Sequence, residues 1–272
     1  MPSKQELIAK RIMRRIHVQD KDMGGIFSIT TGGQGVGKTS TMLSFAEYTI
    51  NKYPNQKIFW SECYDAPLQF VKVQDPSKWH IFIKEGKNII FRNRNQHLKP
   101  VNMNVTTFKD FDDVWKKSKP GVINVVFFGE RTIWMEFIGW LRSVGEWVHI
   151  FIEELGEVCP GTSRGELWKR IQSFADIAKD VRKCMMNVHC NTQTLMDIDY
   201  RVRQKIMLYI FLPGARVGRS ATRVVQRAVD NLPRSPYGNS AYLDMMGEFG
   251  VTQFTDIYIP NQNYHIDAHV VV

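Results

Sequence analysis

From residue 25 onward the chain alternates short apolar runs with longer stretches of helical period. Residues 26–30 form a β-branched and aromatic run that ends in a glycine cluster. Residues 39–51 then carry Met42, Phe45, Ala46 and Tyr48 at helical spacing. Residues 57–60 read as a second strand. Residues 121–128 are almost continuously hydrophobic, as a strand covered on both faces should be. A helix is predicted over 132–144, a strand over 147–152 and a long amphipathic helix over 164–182. Two further strands are predicted over 183–189 and 206–212. This β–α alternation predicts an α/β fold, a mostly parallel sheet flanked by helices on both faces.

The alternation lapses between residues 64 and 120. There, runs at 79–84 and 88–92 flank Glu85-Gly86-Lys87, which reads as an inserted hairpin. Ahead of the core, residues 1–23 form a basic arm. Ser3 and Glu6 have capping-box spacing, and Ile8, Ile12 and Ile16 recur along one helical face. Lys4, Lys10, Arg11, Arg14 and Arg15 fill much of the rest. Two readings stay open for this arm: a solvated helix docked by its Ile stripe, or a contact for nucleic acid or another subunit. The expected organisation is thus an arm (1–23), a core (24–215, with an insertion at about 64–120) and a basic C-terminal extension (216–272) packing on the core.

The glycine cluster carries the first chemistry. Gly32-Gly33-Gln34-Gly35-Val36-Gly37-Lys38-Thr39 fits the G-x-x-x-x-G-K-[ST] pattern without a mismatch, and Ser40 follows it. Glycines permit the tight loop that turns successive backbone N–H groups toward a β-phosphate at a helix N-terminus. Lys38 is placed to bridge the β- and γ-phosphates, and the Thr39 hydroxyl to ligate Mg²⁺. The motif follows a predicted strand and opens a predicted helix. It reads as a nucleotide-binding P-loop, with ATP and Mg²⁺ as its expected ligands.

Hydrolysis at such a loop needs an acid for the metal and a group to activate water. Glu153 and Glu154 end the predicted strand at 147–152. Successive side chains diverge, so Glu153 is assigned to Mg²⁺ and its waters and Glu154 to the general base. Glu130 is a rival acid after the strand at 121–128, but a glycine separates it from that strand. Glu62 is a weaker rival. One strand later, Asn191-Thr192-Gln193 stands at a strand end, where Gln193 can reach the γ-phosphate or its water.

Composition narrows the partner class. Among 272 residues, 36 Lys and Arg face 27 Asp and Glu, a formal charge of +9. That balance favours a polyanionic partner. Eight of the basic residues fall within 201–234 against one acid, Asp230. Arg216, Arg219, Arg223 and Arg227 step by three, four and four, which predicts a basic helical stripe suited to a phosphate backbone. Arg92, Arg94, His97 and Lys99 form a second basic segment, with Phe91 beside them. No apolar run is long enough to span a bilayer, and the N-terminus lacks the apolar block of a secretory signal. Cys63, Cys159, Cys184 and Cys190 form no C-x-x-C pair, so free thiols in a reducing, cytoplasmic setting are expected.

The order of P-loop, strand ending Glu-Glu and strand ending Thr-Gln resembles the FtsK–HerA superfamily of DNA-pumping ATPases. The phrase running from Thr192-Gln193 to Arg203-Gln204-Lys205 is similar to the small versions on archaeal viruses and plasmids. The resemblance covers about residues 24–215. It implies a RecA-like P-loop ATPase that moves double-stranded DNA, in viral genome packaging or plasmid transfer. It also implies a homo-oligomeric ring, commonly a hexamer, with a portal or membrane partner left open. Gln193 then matches the strand-end glutamine that couples nucleotide state to DNA contact. Arg203 is the first choice for an arginine reaching a neighbour's nucleotide, with Arg201 and Arg216 as alternates. The family often has Asp-Glu where this chain has Glu153-Glu154, and the change keeps both charges. Two other classes remain alternatives. One is an AAA+-type replication initiator or helicase loader, for which residues 241–250 are too short to form the helical lid. The other is a nucleotide-gated assembly protein resembling the phage zonula-occludens-toxin-like proteins.

Overall fold

The computed structural model describes residues 4–16, 24–63, 69–72, 76–93, 103–217, 223–233, 239–254 and 265–271. The chain opens with α1 (Lys4–Ile16), β1 (Phe27–Thr31), α2 (Lys38–Lys52) and β2 (Lys57–Cys63). There follow β3 (Gln69–Lys72), β4 (Trp79–Lys84), β5 (Asn88–Asn93), β6 (Asn104–Phe108), α3 (Phe111–Lys117) and β7 (Ile123–Phe128). Next come α4 (Ile133–Arg142), β8 (Val148–Ile152), α5 (Leu155–Val158), α6 (Gly165–Asp180), β9 (Met186–Thr192), α7 (Tyr200–Arg203) and β10 (Leu208–Phe211). The chain closes with α8 (Arg223–Asp230), β11 (Asn239–Met245), β12 (Glu248–Phe254) and β13 (His265–Val271).

Ten strands form one sheet in the order β12-β11-β10-β1-β9-β8-β2-β7-β4-β6. The eight strands from β10 to β6 run parallel, and β11 and β12 add an antiparallel edge. Alternation along each strand feeds two cores. On β7, Ile123, Val125 and Phe127 enter one core while Val126 and Phe128 enter the other, as a doubly covered strand requires. One face packs α1 and α2, and the other packs α3 to α8. Phe59, Phe111, Phe128, Trp134 and Phe137 meet ring to ring with centroids 5.1 to 5.6 Å apart. Truncating Phe137, fully buried among them, is worth about 3–5 kcal/mol.

Two sequence expectations are corrected. The runs around Glu85-Gly86-Lys87 do not pair as a hairpin. The turn itself forms, with the Lys87 N–H on the Lys84 carbonyl (3.1 Å) and Gly86 at φ 82. The strands on either side then diverge: β4 joins the main sheet beside β7, whereas β5 enters a separate sheet of order β3-β13-β5. The partner of β5 is β13, from the far end of the chain, a long-range pairing that local turn chemistry does not encode. The basic stripe is also not one helix from end to end: Arg216 forms a bridge with Thr194, while Arg223 and Arg227 stand on α8. Arg219 lies outside the described residues, as do Arg94, His97 and Lys99 of the second basic segment.

The N-terminal helix docks on its own chain. Ala9 and Ile12 are buried against the β11 and β12 end of the sheet, and Arg11 pairs with Glu248 at 2.8 Å. Among the described residues no helix is long and apolar enough to cross a membrane.

Candidate nucleotide site

β1 leads directly into the glycine loop, and α2 leaves it. Gly37, at φ 87, turns the backbone into the first residue of α2, a conformation that side chains other than glycine rarely adopt. A Cβ on Gly32 would lie 2.7 Å from Val36 Cγ2 and 2.9 Å from Leu212 Cβ, so the loop closes only because that atom is missing. Lys38 folds back over the loop, its Nζ donating to the carbonyls of Gly32 (3.2 Å) and Gly33 (3.0 Å). Burial lowers its pKa, while Glu154 and then Glu153 pull it back up.

The strand order decides what meets the loop. β9 lies between β1 and β8, so the ends of all three strands converge. Glu153 follows the last residue of β8. Its Oε2 accepts from the Thr39 hydroxyl (3.2 Å) and from Asn191 Nδ2 (2.5 Å), and its backbone N–H donates to Ser61 Oγ (2.8 Å). Its Oε1 is buried and has no partner among the described residues. Burial raises the carboxyl's pKa, against the hydrogen bonds from Asn191 and Thr39.

Glu154 turns the other way. Its backbone is left-handed, at φ 50 and ψ 65, and its N–H donates to Asn191 Oδ1 (2.8 Å). Asn191 therefore holds both acids, one through each end of its amide. Burial raises the Glu154 pKa, opposed by the Lys38 charge and by a hydrogen bond from the Gln193 backbone N–H. The two acids thus have different surroundings: the Glu153 carboxylate accepts from Thr39 and Asn191, whereas the Lys38 charge is the main influence holding the Glu154 carboxyl ionised.

Gln193 stands directly after β9, with its carbonyl accepting from the Thr31 hydroxyl (3.3 Å) and its side chain exposed. The backbone, more than the amide, ties it to the acids. Glu130 is exposed and accepts from the Thr132 hydroxyl (3.3 Å). Glu62, by contrast, is buried at the end of β2 beside Glu153, and burial with that neighbouring charge lifts its pKa to about 8. The segments after the two acids and after Gln193 are stitched together by Asp199 N–H to Cys159 O (2.9 Å) and Gly161 N–H to Asp197 O (2.7 Å).

The three arginines proposed for contact with a neighbour separate clearly. Arg201 is buried and binds Asp199 through Nε (2.9 Å) and Nη2 (2.8 Å), Gln172 through Nη1 (3.1 Å), and lies 4.4 Å from the Trp168 ring centroid. Arg203 is half-buried, its Nη1 near the Leu195 carbonyl and Met196 Sδ, both at 3.2 Å. Arg216 is exposed. Sequence reasoning missed Ser61, and it quoted Asn191 without giving it a role. Only Asn191 had a usable signal, as the polar residue closing a buried strand two positions before Gln193.

The donor set fits a magnesium ion: a hydroxyl, one carboxylate with a buried unpartnered oxygen, and an adjoining loop for phosphates. Fold and site together define a P-loop NTPase. No protein-family model matches the chain, and no curated protein matches it. Solved structures do. The genome packaging NTPase B204 from Sulfolobus turreted icosahedral virus 2, in complex with ATP-gammaS, aligns with a TM-score of 0.53 at 10% identity, over 88% of this chain and 100% of that one. In complex with AMPPCP it aligns with a TM-score of 0.54 at 10% identity, over 84% of this chain and 96% of that one. At this identity the likeness is one of fold.

Proposed function

We propose that the chain is an ATP-hydrolysing motor of the FtsK–HerA type that translocates double-stranded DNA, in viral genome packaging or plasmid transfer. The observation that carries the ATPase reading is the junction of Thr39, Glu153 and Asn191, with Glu154 turned toward Lys38. When ATP binds, Lys38 exchanges the carbonyls of Gly32 and Gly33 for the β- and γ-phosphate oxygens. Thr39 and Glu153 would hold Mg²⁺, which when bound would supply charge neutralisation to the phosphates. Glu154 takes a proton from the attacking water while the water oxygen bonds to the γ-phosphorus. The bond from that phosphorus to the β–γ bridging oxygen breaks, and ADP leaves with the electron pair. Burial suits Glu154 to this role, because a base is most effective with its pKa raised toward working pH.

The likeness in fold to a genome packaging NTPase supports the DNA reading, and so does the positive charge. Arg223 and Arg227 stand on an exposed face of α8 whose apolar side, through Val229, packs on the core. We place residues 24–215 as the motor core and 216–272 as an extension on it. The working form is a homo-oligomeric ring, hexameric by the family's habit, in which Gln193 relays nucleotide state and Arg203 reaches a neighbour's nucleotide. The test is ATP turnover with and without duplex DNA, alongside Lys38→Ala. Stimulation by duplex in the wild type and none in the variant is expected. Turnover indifferent to duplex removes the translocation reading, and a variant as active as wild type removes the P-loop reading.

A further inference from the structure

Two cations stand among the acids of the nucleotide site, and the chemistry above uses one of them. The other is Arg131, in the turn between β7 and α4. Its side chain is 18% exposed. Its charge acts on Glu62, Glu153 and Glu154 together, favouring the ionised form of each. Those acids end β2 and β8, and β2 lies directly between β7 and β8. The turn that carries Arg131 therefore lies at the same end of the parallel sheet as Glu62, Glu153 and Glu154.

Its ion-pair partner is a fourth acid, Glu157. Arg131 Nε meets Glu157 Oε2 at 2.5 Å, and the Glu157 side chain is 59% exposed. An ion pair with one exposed partner contributes little, about 0–1 kcal/mol. It is therefore easily exchanged for a better anion. Lys38 shows the same arrangement, held on loop carbonyls where phosphate would otherwise sit. Glu157 lies on α5, three residues beyond Glu154, so the resting position of Arg131 is beside the base's own helix.

We propose that Arg131 is a catalytic arginine supplied by the same subunit, held by Glu157 at rest and transferred to the γ-phosphate when a nucleoside triphosphate binds. The proposal rests on the ATPase reading. A guanidinium offers a rigid planar fork that fits two oxygens of one phosphoryl group, whereas an ammonium is a point charge on a flexible stem. The transferring phosphoryl group spreads its charge over three equatorial oxygens, which Lys38 does not cover alone. The role assigned to Arg203 is distinct, since that arginine serves a neighbouring subunit.

The experiment compares wild type, Arg131→Gln, Arg131→Lys and Glu157→Gln, each checked for folding by thermal unfolding. Binding of ADP is measured alone and with aluminium fluoride, which mimics the transferring phosphoryl group, next to ATP turnover. Arg131→Gln should lose turnover by ~10³-fold, the usual scale for such an arginine. It should also lose the added affinity that aluminium fluoride confers, with ADP affinity unchanged. Arg131→Lys keeps the charge and should fall between the two. Glu157→Gln should match or exceed wild-type turnover, because the competing anion is gone. If Glu157→Gln is as damaged as Arg131→Gln, the pair is structural and the proposal is overturned. Wild-type response to aluminium fluoride in folded Arg131→Gln or Arg131→Lys also overturns it, leaving the ATPase reading intact. A wild-type chain that binds neither ADP nor ATP overturns both.

Discussion

The Thr39 hydroxyl donates to Glu153 Oε2 across 3.2 Å, joining the start of α2 to the end of a strand two places away in the sheet. The two residues are 114 positions apart in sequence, and the parallel order β1-β9-β8 is what brings them together. Thr39→Val keeps the shape and removes the oxygen. It should raise the Mg²⁺ concentration needed for half-maximal turnover by ~10-fold or more, the scale seen when the surroundings of a metal site are altered. Glu153→Gln should do the same more severely. A Mg²⁺ titration of ATP turnover checks both, and an unchanged midpoint in Thr39→Val would remove the threonine from the metal site.

Glu154 is the general base we propose. Glu154→Gln should bind ATP as wild type does and hydrolyse it at least ~100-fold more slowly, the usual loss with a general base. Glu130→Gln should behave as wild type, since Glu130 is exposed. A trapped complex from Glu130→Gln would mean that the wrong strand was chosen. Burial raises the Glu154 pKa, so turnover should fall on acidification at a pH above the ordinary carboxylate range of about 4.3. Single-turnover rates across pH measure this limb.

Much of this site was legible because short motifs carry their own geometry. The glycine spacing fixed the loop, and an apolar run ending in Glu153-Glu154 fixed the strand end. The strand that leads into Asn191-Thr192-Gln193 was also readable, but its place between β1 and β8 was not. Other parts depend on pairing between distant segments. The β5–β13 contact joins residues 88–93 to 266–271, and neither run carries a sign of the other. Arg131 escaped notice for a similar reason. It stands in a turn after β7, and only the interposition of β2 between β7 and β8 sets it beside the acids. The arginine periodicity misled at Arg216, whose backbone bridges to Thr194, a pairing with a distant strand end that charge spacing does not encode. Arg223 and Arg227 do lie on a helix, where Val225, Ala228 and Val229 pack against the core.

Glu62 makes stability depend on pH in an unusual sense. Its folded pKa of about 8 exceeds the ordinary 4.5, so the folded protein holds a proton that the unfolded chain releases. The stabilisation is complete below about 4.5, declines as pH rises and is gone above about 8. The slope is at most ~1.4 kcal/mol per pH unit. Glu62→Gln stays neutral throughout and should show a shallower decline, since the raised Glu153 and Glu154 pKa values still contribute. Chemical denaturation without nucleotide or metal, from pH 5 to 9, compares the two. Parallel curves would mean that Glu62 ionises normally in the folded protein.

Arg201 and Arg203 stand two residues apart and call for opposite outcomes. Arg201 and Asp199 are both buried, and their pairing lowers the Asp199 pKa while raising that of Arg201. Arg201→Ala strands a buried carboxylate and should cost about 3 kcal/mol or more in stability. Its activity loss should follow unfolding and should not be rescued by another subunit. Arg203 contributes no comparable buried pair, only contacts with the Leu195 carbonyl and Met196 Sδ. Arg203→Ala should unfold within about 0.5 kcal/mol of wild type, as surface changes usually do. Its defect should appear in turnover. When Arg203→Ala subunits are mixed with Lys38→Ala subunits, each inactive alone, interfaces joining an intact P-loop to an intact Arg203 should recover part of the ATPase activity. No recovery despite demonstrated co-assembly assigns Arg203 to its own subunit. A chain that stays monomeric with ATP and duplex DNA removes the ring.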